Sequence, residues 1–236
     1  MNSSKLKGYL TGLILGDGYI DKGVAKRAFR IKSINKDFIE KIESDLSSST
    51  NFKLVVRPHP ARTGSDGTKH KEYLELTVKS HPYFAKIYHN FYDDFRNRII
   101  SKRALRAINW EGWANWFMSD GYIVKVGKTK GKIVDRRVEL CTDRYPESGI
   151  DFLRSFMDKK YGFSIKKVRR GRVIRIRFSL YQAQYFLYQI SPFVVPSMMY
   201  KLDMAYSYRP EWMTDDYYEL MKTVQSVSPQ NFWVKK

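Results

Sequence analysis

The sequence predicts an α+β protein made of two αββαββα repeats with antiparallel sheets. Three observations predict it. An apolar helical run ending in Asp-Gly-Tyr-Ile occurs twice, at Asp17–Ile20 and at Asp120–Ile123, 103 residues apart. The same succession of strand and helix patterns follows each copy. Charge is also shared evenly: residues 1–103 carry 20 basic and 11 acidic side chains, and residues 104–236 carry 23 and 13. Matched halves suggest two equivalent surfaces rather than a basic tail on a neutral body. The expected units are 1–103, 104–202 and a C-terminal extension, 203–236.

In order, Leu6–Gly16 reads as a helix and Asp17–Ile20 as a turn with a short strand. Strands follow near Phe29–Lys32, Lys53–Arg57 and Tyr73–Lys79. A helix at about Asn35–Leu46 separates the first two, and another runs from Ser80 to about Phe91. The second half repeats this. A helix at Trp110–Ser119 leads to a short strand at Asp120–Ile123, then to strands near Arg137–Cys141, Ile165–Val168 and Val173–Phe178. Helices are expected at Pro146–Tyr161 and Leu180–Ile190. The stretches Pro58–Glu72 and Gly127–Asp135, rich in Lys, Arg, Gly, Thr and Ser, read as long loops, which usually carry function. From Asp203 the charge falls to 4 basic against 5 acidic residues while aromatic residues continue. This reads as a tail packed on the outside, with a short helix starting near Asp215.

Strand alternation assigns the faces. In Phe29-Arg30-Ile31-Lys32 and Ile174-Arg175-Ile176-Arg177-Phe178, basic and apolar side chains take opposite sides. Each sheet then has one face on the core and one basic face outward. The run Lys166-Lys167-Val168-Arg169-Arg170-Gly171-Arg172 is so cationic that a polyanion is expected nearby.

The whole composition agrees. A net charge of +19 and a pI near 9.8 point to a nucleic-acid partner. A hydrophobic share of 43% argues against a disordered chaperone-like chain. Cys141 is the only cysteine, which excludes a disulfide framework or a cysteine-rich zinc site within one chain. The four histidines (His59, His70, His81, His89) never fall at i, i+4 spacing and are expected in turns and helix caps, against a histidine metal site. Gly8, Gly12, Gly16 and Asp17 interrupt the N-terminal apolar run, so no signal peptide is expected. No stretch suits a membrane span, and the expected protein is soluble and intracellular.

The two acidic helix ends carry the chemical argument. Gly8, Gly12 and Gly16 recur every four residues and share one helical face. Each costs about 1 kcal/mol against alanine in a helix interior, which makes sense where another backbone must approach closely. Asp17 and Asp120 stand at helix C-termini, the negative end of the dipole. If the two helices pack together, both carboxylates converge, and shared divalent cations would compensate.

These residues resemble the LAGLIDADG homing endonuclease family, in its single-chain, two-motif subgroup. Leu10-Thr11-Gly12-Leu13-Ile14-Leu15-Gly16-Asp17-Gly18 matches the motif. Trp113-Ala114-Asn115-Trp116-Phe117-Met118-Ser119-Asp120-Gly121 is a degenerate second copy, with Asn115 at the expected glycine. Ser191–Leu202 also resembles that subgroup, and the likeness covers about residues 5–202. It implies that the two repeats are pseudo-twofold-related, with antiparallel sheets forming a DNA-binding saddle, and that the chain is a metal-dependent double-strand DNA endonuclease leaving short 3′ overhangs. It further implies that Asp17 and Asp120 bind Mg²⁺ or a similar cation such as Mn²⁺, with Lys201 as a nearby basic residue. Arg98, or else Lys102, stands in the first half where the family usually has lysine. The expected DNA-contacting residues are Arg30, Lys32, Lys53, Arg57, Lys166, Lys167, Arg169, Arg170, Arg172, Arg175 and Arg177. The expected partner is double-stranded DNA, with intron RNA as a further one, and a duplicated motif implies a monomer. The alternatives on the same fold are an RNA-splicing maturase or a non-cleaving DNA-binding regulator.

Overall fold

The computed structural model describes residues 1–21, 27–129 and 132–202, with backbone alone at 125–129, 132–136 and 181. The extension 203–236, with the helix expected near Asp215, lies outside the described residues.

The first unit opens with α1 (Ser3–Leu15), whose first turn is capped by the Asn2 side chain accepting from Lys5 N at 2.8 Å. Then come β1 (Tyr19–Ile20), β2 (Arg27–Ser33), α2 (Lys36–Ser49) and β3 (Leu54–His59). A small ribbon of β4 (Arg62–Thr63) and β5 (Lys69–His70) occupies the expected loop, followed by β6 (Tyr73–His81) and α3 (Pro82–Ile87). The helix expected at Ser80–Phe91 starts later because β6 runs on to His81. Pro82 suits the first helical turn, where its missing N–H costs nothing. The His81 ring accepts from Tyr83 N at 3.2 Å, a cap as expected for a histidine here, and a 3-10 turn at Tyr88–Asn90 completes the segment.

A helix the sequence reading missed, α4 (Lys102–Ala107), links the units; Ser101 Oγ accepts from Ala104 N at 3.2 Å to cap it. The second unit is α5 (Trp110–Asp120), β7 (Gly121–Thr129), β8 (Lys132–Leu140), α6 (Glu147–Tyr161), β9 (Lys166–Arg170), β10 (Val173–Arg177) and α7 (Leu180–Ile190). Both units therefore have the expected αββαββα order. Gly162, at φ 68°, ends α6 in the left-handed conformation and donates to Asp158 O at 2.8 Å, a stop that suits glycine.

One expectation fails in this half. The Gly127–Asp135 stretch is mostly strand, because β7 and β8 pair from Gly121↔Leu140 to Thr129↔Lys132. Val124, Val126, Ile133 and Val134 supply β-branched residues that favour a pleated ribbon. The Gly, Lys and Thr content obscured this.

Each unit holds a four-stranded antiparallel sheet, in the order β1-β2-β6-β3 and β7-β8-β10-β9. One core runs through both units, from Phe29, Ile31 and Phe38 through Trp113 and Trp116 to Ile176 and Phe186. At its centre α1 crosses α5. A methyl group built on Gly12 would lie inside the Gly112 carbonyl, and one on Gly112 would meet the Gly8 carbonyl. A methyl on Gly16 would come within 2.6 Å of Ser119 Cβ. The close approach expected of the glycine face is thus present.

The 103-residue offset pairs Gly12 with Asn115 and Tyr9 with Gly112. Where Gly12 meets Gly112 backbone to backbone, the related position is bridged by Asn115 Nδ2 donating to Tyr9 O at 3.3 Å. The degenerate asparagine replaces a direct contact with a hydrogen bond.

A side chain at Gly12 cannot be absorbed by a neighbour's rotamer, since backbone opposes it. Overpacking typically costs 1–3 kcal/mol, occasionally more. Gly12→Val is expected to destabilise by about 3 kcal/mol, a fall of roughly 6–12 °C in Tm for a chain of this size. A melt within about 2 °C of the parent would refute the contact.

Candidate active site

Asp17 and Asp120 come together because the helices that carry them touch one residue earlier, at Gly16 and Ser119. Asp17 lies just past the end of α1 and Asp120 is the last residue of α5, where the last carbonyls need partners. Arg98 supplies them for α1. Its guanidinium donates to Ile14 O at 3.2 Å, Gly16 O at 2.9 Å and Gly18 O at 2.6 Å. The buried Tyr145 hydroxyl donates to Leu15 O at 2.5 Å. At α5, Lys201 Nζ donates to Met118 O at 2.6 Å, while Cys141 N donates to Asp120 O at 3.0 Å.

Arg98 and Lys201 are also 103 residues apart, so each unit sends one cation to the end of its own aspartate-bearing helix. Both charges sit where the helix dipole favours them. Local structure aims them. Arg98 follows a tight turn in which Arg96 takes φ 66° and Asp93 Oδ1 accepts from Asn97 N at 2.7 Å. Lys201 lies on the 3-10 segment Pro196–Leu202, held by Asp37 Oδ2 accepting from Ser197 N at 2.9 Å. Lys102, the alternative to Arg98, lies on α4 and caps neither helix.

The electrostatics are strained around Asp120. Burial, then the neighbouring Asp17 carboxylate, push Asp120 up to about 6, while Arg144, Arg98 and Lys201 pull the other way. Burial also lowers Lys201, an effect that Asp120 and Asp17 oppose.

Two residues of this site had no sequence signal. Arg144 NH2 lies 3.3 Å from Asp17 Oδ1, and Tyr145 caps α1. Both sit in the irregular Cys141–Pro146 segment, which carries no periodicity to read.

The donor set suits a hard divalent cation. It offers two carboxylates at the carbonyl-rich ends of helices, one of them held up to about 6 by burial and then by the like charge of the other. Among the described residues no third His, Cys, Asp or Glu joins them to form a metal-holding cluster. Water and phosphate oxygens would have to complete the sphere, as Mg²⁺ readily allows.

The outer sheet faces hold most of the expected nucleic-acid residues. In the first sheet Arg30, Lys32, Lys53 and Arg57 share one face. Arg30 reaches Asp21 and Glu75 at 3.4 Å each, and Lys32 reaches Glu75 at 3.2 Å. Burial raises the Glu75 carboxyl, but Lys32 and Arg30 outweigh it and the net shift is downward. Lys53 and Arg57 are exposed.

The second sheet swaps the signs. The fully buried Glu139 on β8 stands where β2 has Arg30, and Arg177 Nε donates to it at 2.6 Å, with Arg170 at 3.5 Å and the Tyr122 hydroxyl also bonded. Arg175 forks onto Asp143 at 3.0 and 2.8 Å and reaches Tyr122 Oη at 2.9 Å. Lys166 shares the face of Arg177, and Arg172 is exposed in the β9–β10 turn. Lys167 and Arg169 do not reach this face. Strand alternation turns them to α6, where Lys167 meets Glu147 at 2.6 Å and Asp151 at 2.8 Å, and Arg169 meets Glu147 at 3.6 Å. The basic run looked uniform in sequence, but a strand divides it between two sides.

A model of the LAGLIDADG DNA endonuclease family matches residues 7–186. The chain belongs to that family. Its members include DNA-binding, metal-dependent nucleases, and the two helices carrying Asp17 and Asp120 hold its motifs. The fold is that of the homing endonuclease I-WcaI bound to its DNA recognition sequence, with a TM-score of 0.70 at 22% identity over 85% of this chain and 86% of that one. A variant of I-DmoI, in complex with its target DNA and in the presence of manganese, aligns at a TM-score of 0.50 and 16% identity, covering 81% and 96%. Among sequence relatives, the cytochrome b mRNA maturase bI2 of Saccharomyces cerevisiae is 24% identical over 208 residues, 81% of this chain and 45% of the maturase. The chain thus spans less than half of that relative. Among the described residues no helix is long and apolar enough to cross a membrane.

The strain at Asp120 has a thermodynamic consequence. Its folded value near 6 lies above the ordinary 3.8, so below about pH 4 it is protonated in both states and costs nothing. As pH rises through 6 the folded chain must give up a proton it holds preferentially, at about 1.4 kcal/mol per unit. Asp120→Asn is expected to stabilise the protein in EDTA at pH 7.5 by roughly 2–3 kcal/mol, with the gain vanishing near pH 4. Melts showing no gain at pH 7.5 would contradict the assignment.

Proposed function

We propose that this chain is a site-specific, metal-dependent endonuclease that makes a double-strand break with short 3′ overhangs at a long DNA target. The observation that carries the reading is the convergence of Asp17 and Asp120 at the α1–α5 crossing, between two outward basic sheets. Mg²⁺ or Mn²⁺, when bound there, would activate water and stabilise the leaving oxygen.

The chain's own residues do the rest. Asp17 and Asp120 would hold the cations and orient water, one carboxylate from each unit, which would give one reaction centre per strand. Lys201 keeps N–H donors beyond its bond to Met118 and lends positive charge to the phosphate in the transition state. Arg98 spends its donors on three carbonyls and acts as a positioning residue that fixes the end of α1. Arg144 is a candidate phosphate contact beside Asp17. Arg30, Lys32, Arg57, Arg170, Arg175 and Arg177 face the major groove, where every base pair shows a distinct pattern, and Lys53, Lys166 and Arg172 are placed to meet the backbone. Pairing with Glu75, Glu139 and Asp143 preorganises these long cations. The protein acts as a monomer because both motifs lie on one chain.

An RNA-splicing maturase is the second reading, supported by the likeness to the yeast maturase. A maturase that has lost cleavage need not keep both carboxylates, and retention of Asp17 and Asp120 favours the nuclease.

Incubation with a randomised-site plasmid library and Mg²⁺ tests the reading. Linear products sharing one long site are expected, and Asp17→Asn and Asp120→Asn should each lose at least about a hundredfold in rate while still binding DNA. Absence of cleavage by the parent protein, with tight binding to DNA or RNA, would transfer the assignment to the regulator or the maturase.

Lys201→Met separates charge from folding. Cleavage should fall about 10- to 1000-fold with DNA affinity changed less than threefold. An unchanged single-turnover rate would remove Lys201 from the site.

A further inference from the structure

Behind the second sheet, α4 and α6 flank a cavity of about 380 Å³. Lys102 and Arg106 line it from α4, and Phe152, Phe156, Lys159 and Lys160 line it from α6. It is not part of the proposed nuclease site. α6 packs against the helical side of the sheet, the side to which Lys167 turns, so the cavity lies across that layer from the outward basic face.

The charge around it is one-sided for a helical reason. Glu147 and Asp151 lie on the stripe of α6 that meets Lys167 of β9, and Asp158, seven residues on, falls on the same stripe. Phe152, Phe156, Lys159 and Lys160 occupy the other stripe, toward α4. Lys102, Arg106, Lys159 and Lys160 are all exposed, and no ion pair among the described residues engages them. The two phenylalanines are only partly buried. Lys160 Nζ lies 5.2 Å from the Phe156 ring centre and 5.1 Å from that of Tyr161. Lys160 Nζ also donates to Ile108 O at 3.5 Å, and the four cations round the hollow set up a local positive field that attracts an anion.

Aromatic faces set among cations suit a base with its flanking phosphates. The hollow falls in the size range of sites for small organic groups. A duplex keeps its bases stacked inside and cannot insert one, whereas an unpaired nucleotide can. We propose that the α4–α6 cavity is a second nucleic-acid site, which takes an unpaired segment of single-stranded nucleic acid by stacking on Phe152 and Phe156 and by pairing phosphates with Lys102, Arg106, Lys159 and Lys160. This goes beyond the nuclease reading and stands independently of it, since cleavage uses the opposite face.

The test measures fluorescence anisotropy of the full chain in EDTA and 150 mM KCl. The probes are a labelled 15-nucleotide oligouridylate, its oligothymidylate counterpart and a 40-base-pair duplex. The triple variant Lys102→Gln/Arg106→Gln/Lys159→Gln is expected to lose at least tenfold in single-strand affinity with duplex affinity within twofold. Phe156→Leu keeps apolar volume and removes the ring, and should weaken single-strand binding about fivefold with little change in Tm. Saturating duplex should leave oligonucleotide binding to the parent protein intact. An equal effect on both oligonucleotides supports the shared base and phosphate chemistry, and a stronger effect on the RNA supports recognition of the 2′-hydroxyl as well. Equal losses on duplex and single strand, displacement of the oligonucleotide by duplex, or an unaffected triple variant would each overturn the proposal.

Discussion

The backbone contact between α1 and α5 is the constraint from which the rest of the structure follows. Where Gly12 meets Gly112 no side chain fits, so the two helices pass at the distance of their carbonyls. That closeness joins the two halves into one core and fixes the sheets as neighbours. It also delivers Asp17 and Asp120 to a single place. Wider spacing, such as a leucine seam would give, would carry the carboxylates apart and remove their mutual repulsion.

The same contact creates an electrostatic problem that the fold answers in part. Two helix C-termini and two carboxylates accumulate negative potential in one place, against the preference of the dipoles. Arg98, Lys201, and Arg144 with the Tyr145 hydroxyl gather there from three separate segments. They satisfy the carbonyls yet leave Asp120 near 6. Asp120 therefore keeps an uncompensated cost of burial and like charge, which a divalent cation bound there would relieve. The proposed metal dependence and the expected cost to the metal-free protein are two aspects of one arrangement.

Pseudo-symmetry is strong in the framework and weak in the side chains. Arg98 and Lys201, or Tyr19 and Tyr122, keep the 103-residue offset. The outer faces differ: β2 carries cations toward Glu75 of β6, whereas β8 carries Glu139 toward arginines of β10. Asp17 has Arg144 beside it through the longer Cys141–Pro146 segment, and the short β2–α2 link offers Asp120 no such arginine. A duplicated frame with divergent faces is what reading an asymmetric target would require.

The sequence by itself determined the duplicated αββαββα order, the two acidic helix ends, the glycine face that forces close packing and the overall basic character. Those features are written in local periodicity, and a repeat makes each half a check on the other. Arg98 and Lys201 were legible as well, though only through likeness to a family, because nothing local marks a residue that caps a helix more than eighty positions away. The tertiary structure alone decided that Gly112 is the partner of Gly12, that Arg144 and Tyr145 enter the site, and that Lys167 and Arg169 turn from the outer face to α6. It also replaced the expected Gly127–Asp135 loop with paired strands. In each case the cause is a contact between distant segments or the twofold alternation of a strand whose register is set by its neighbour, and neither is encoded at the residue itself.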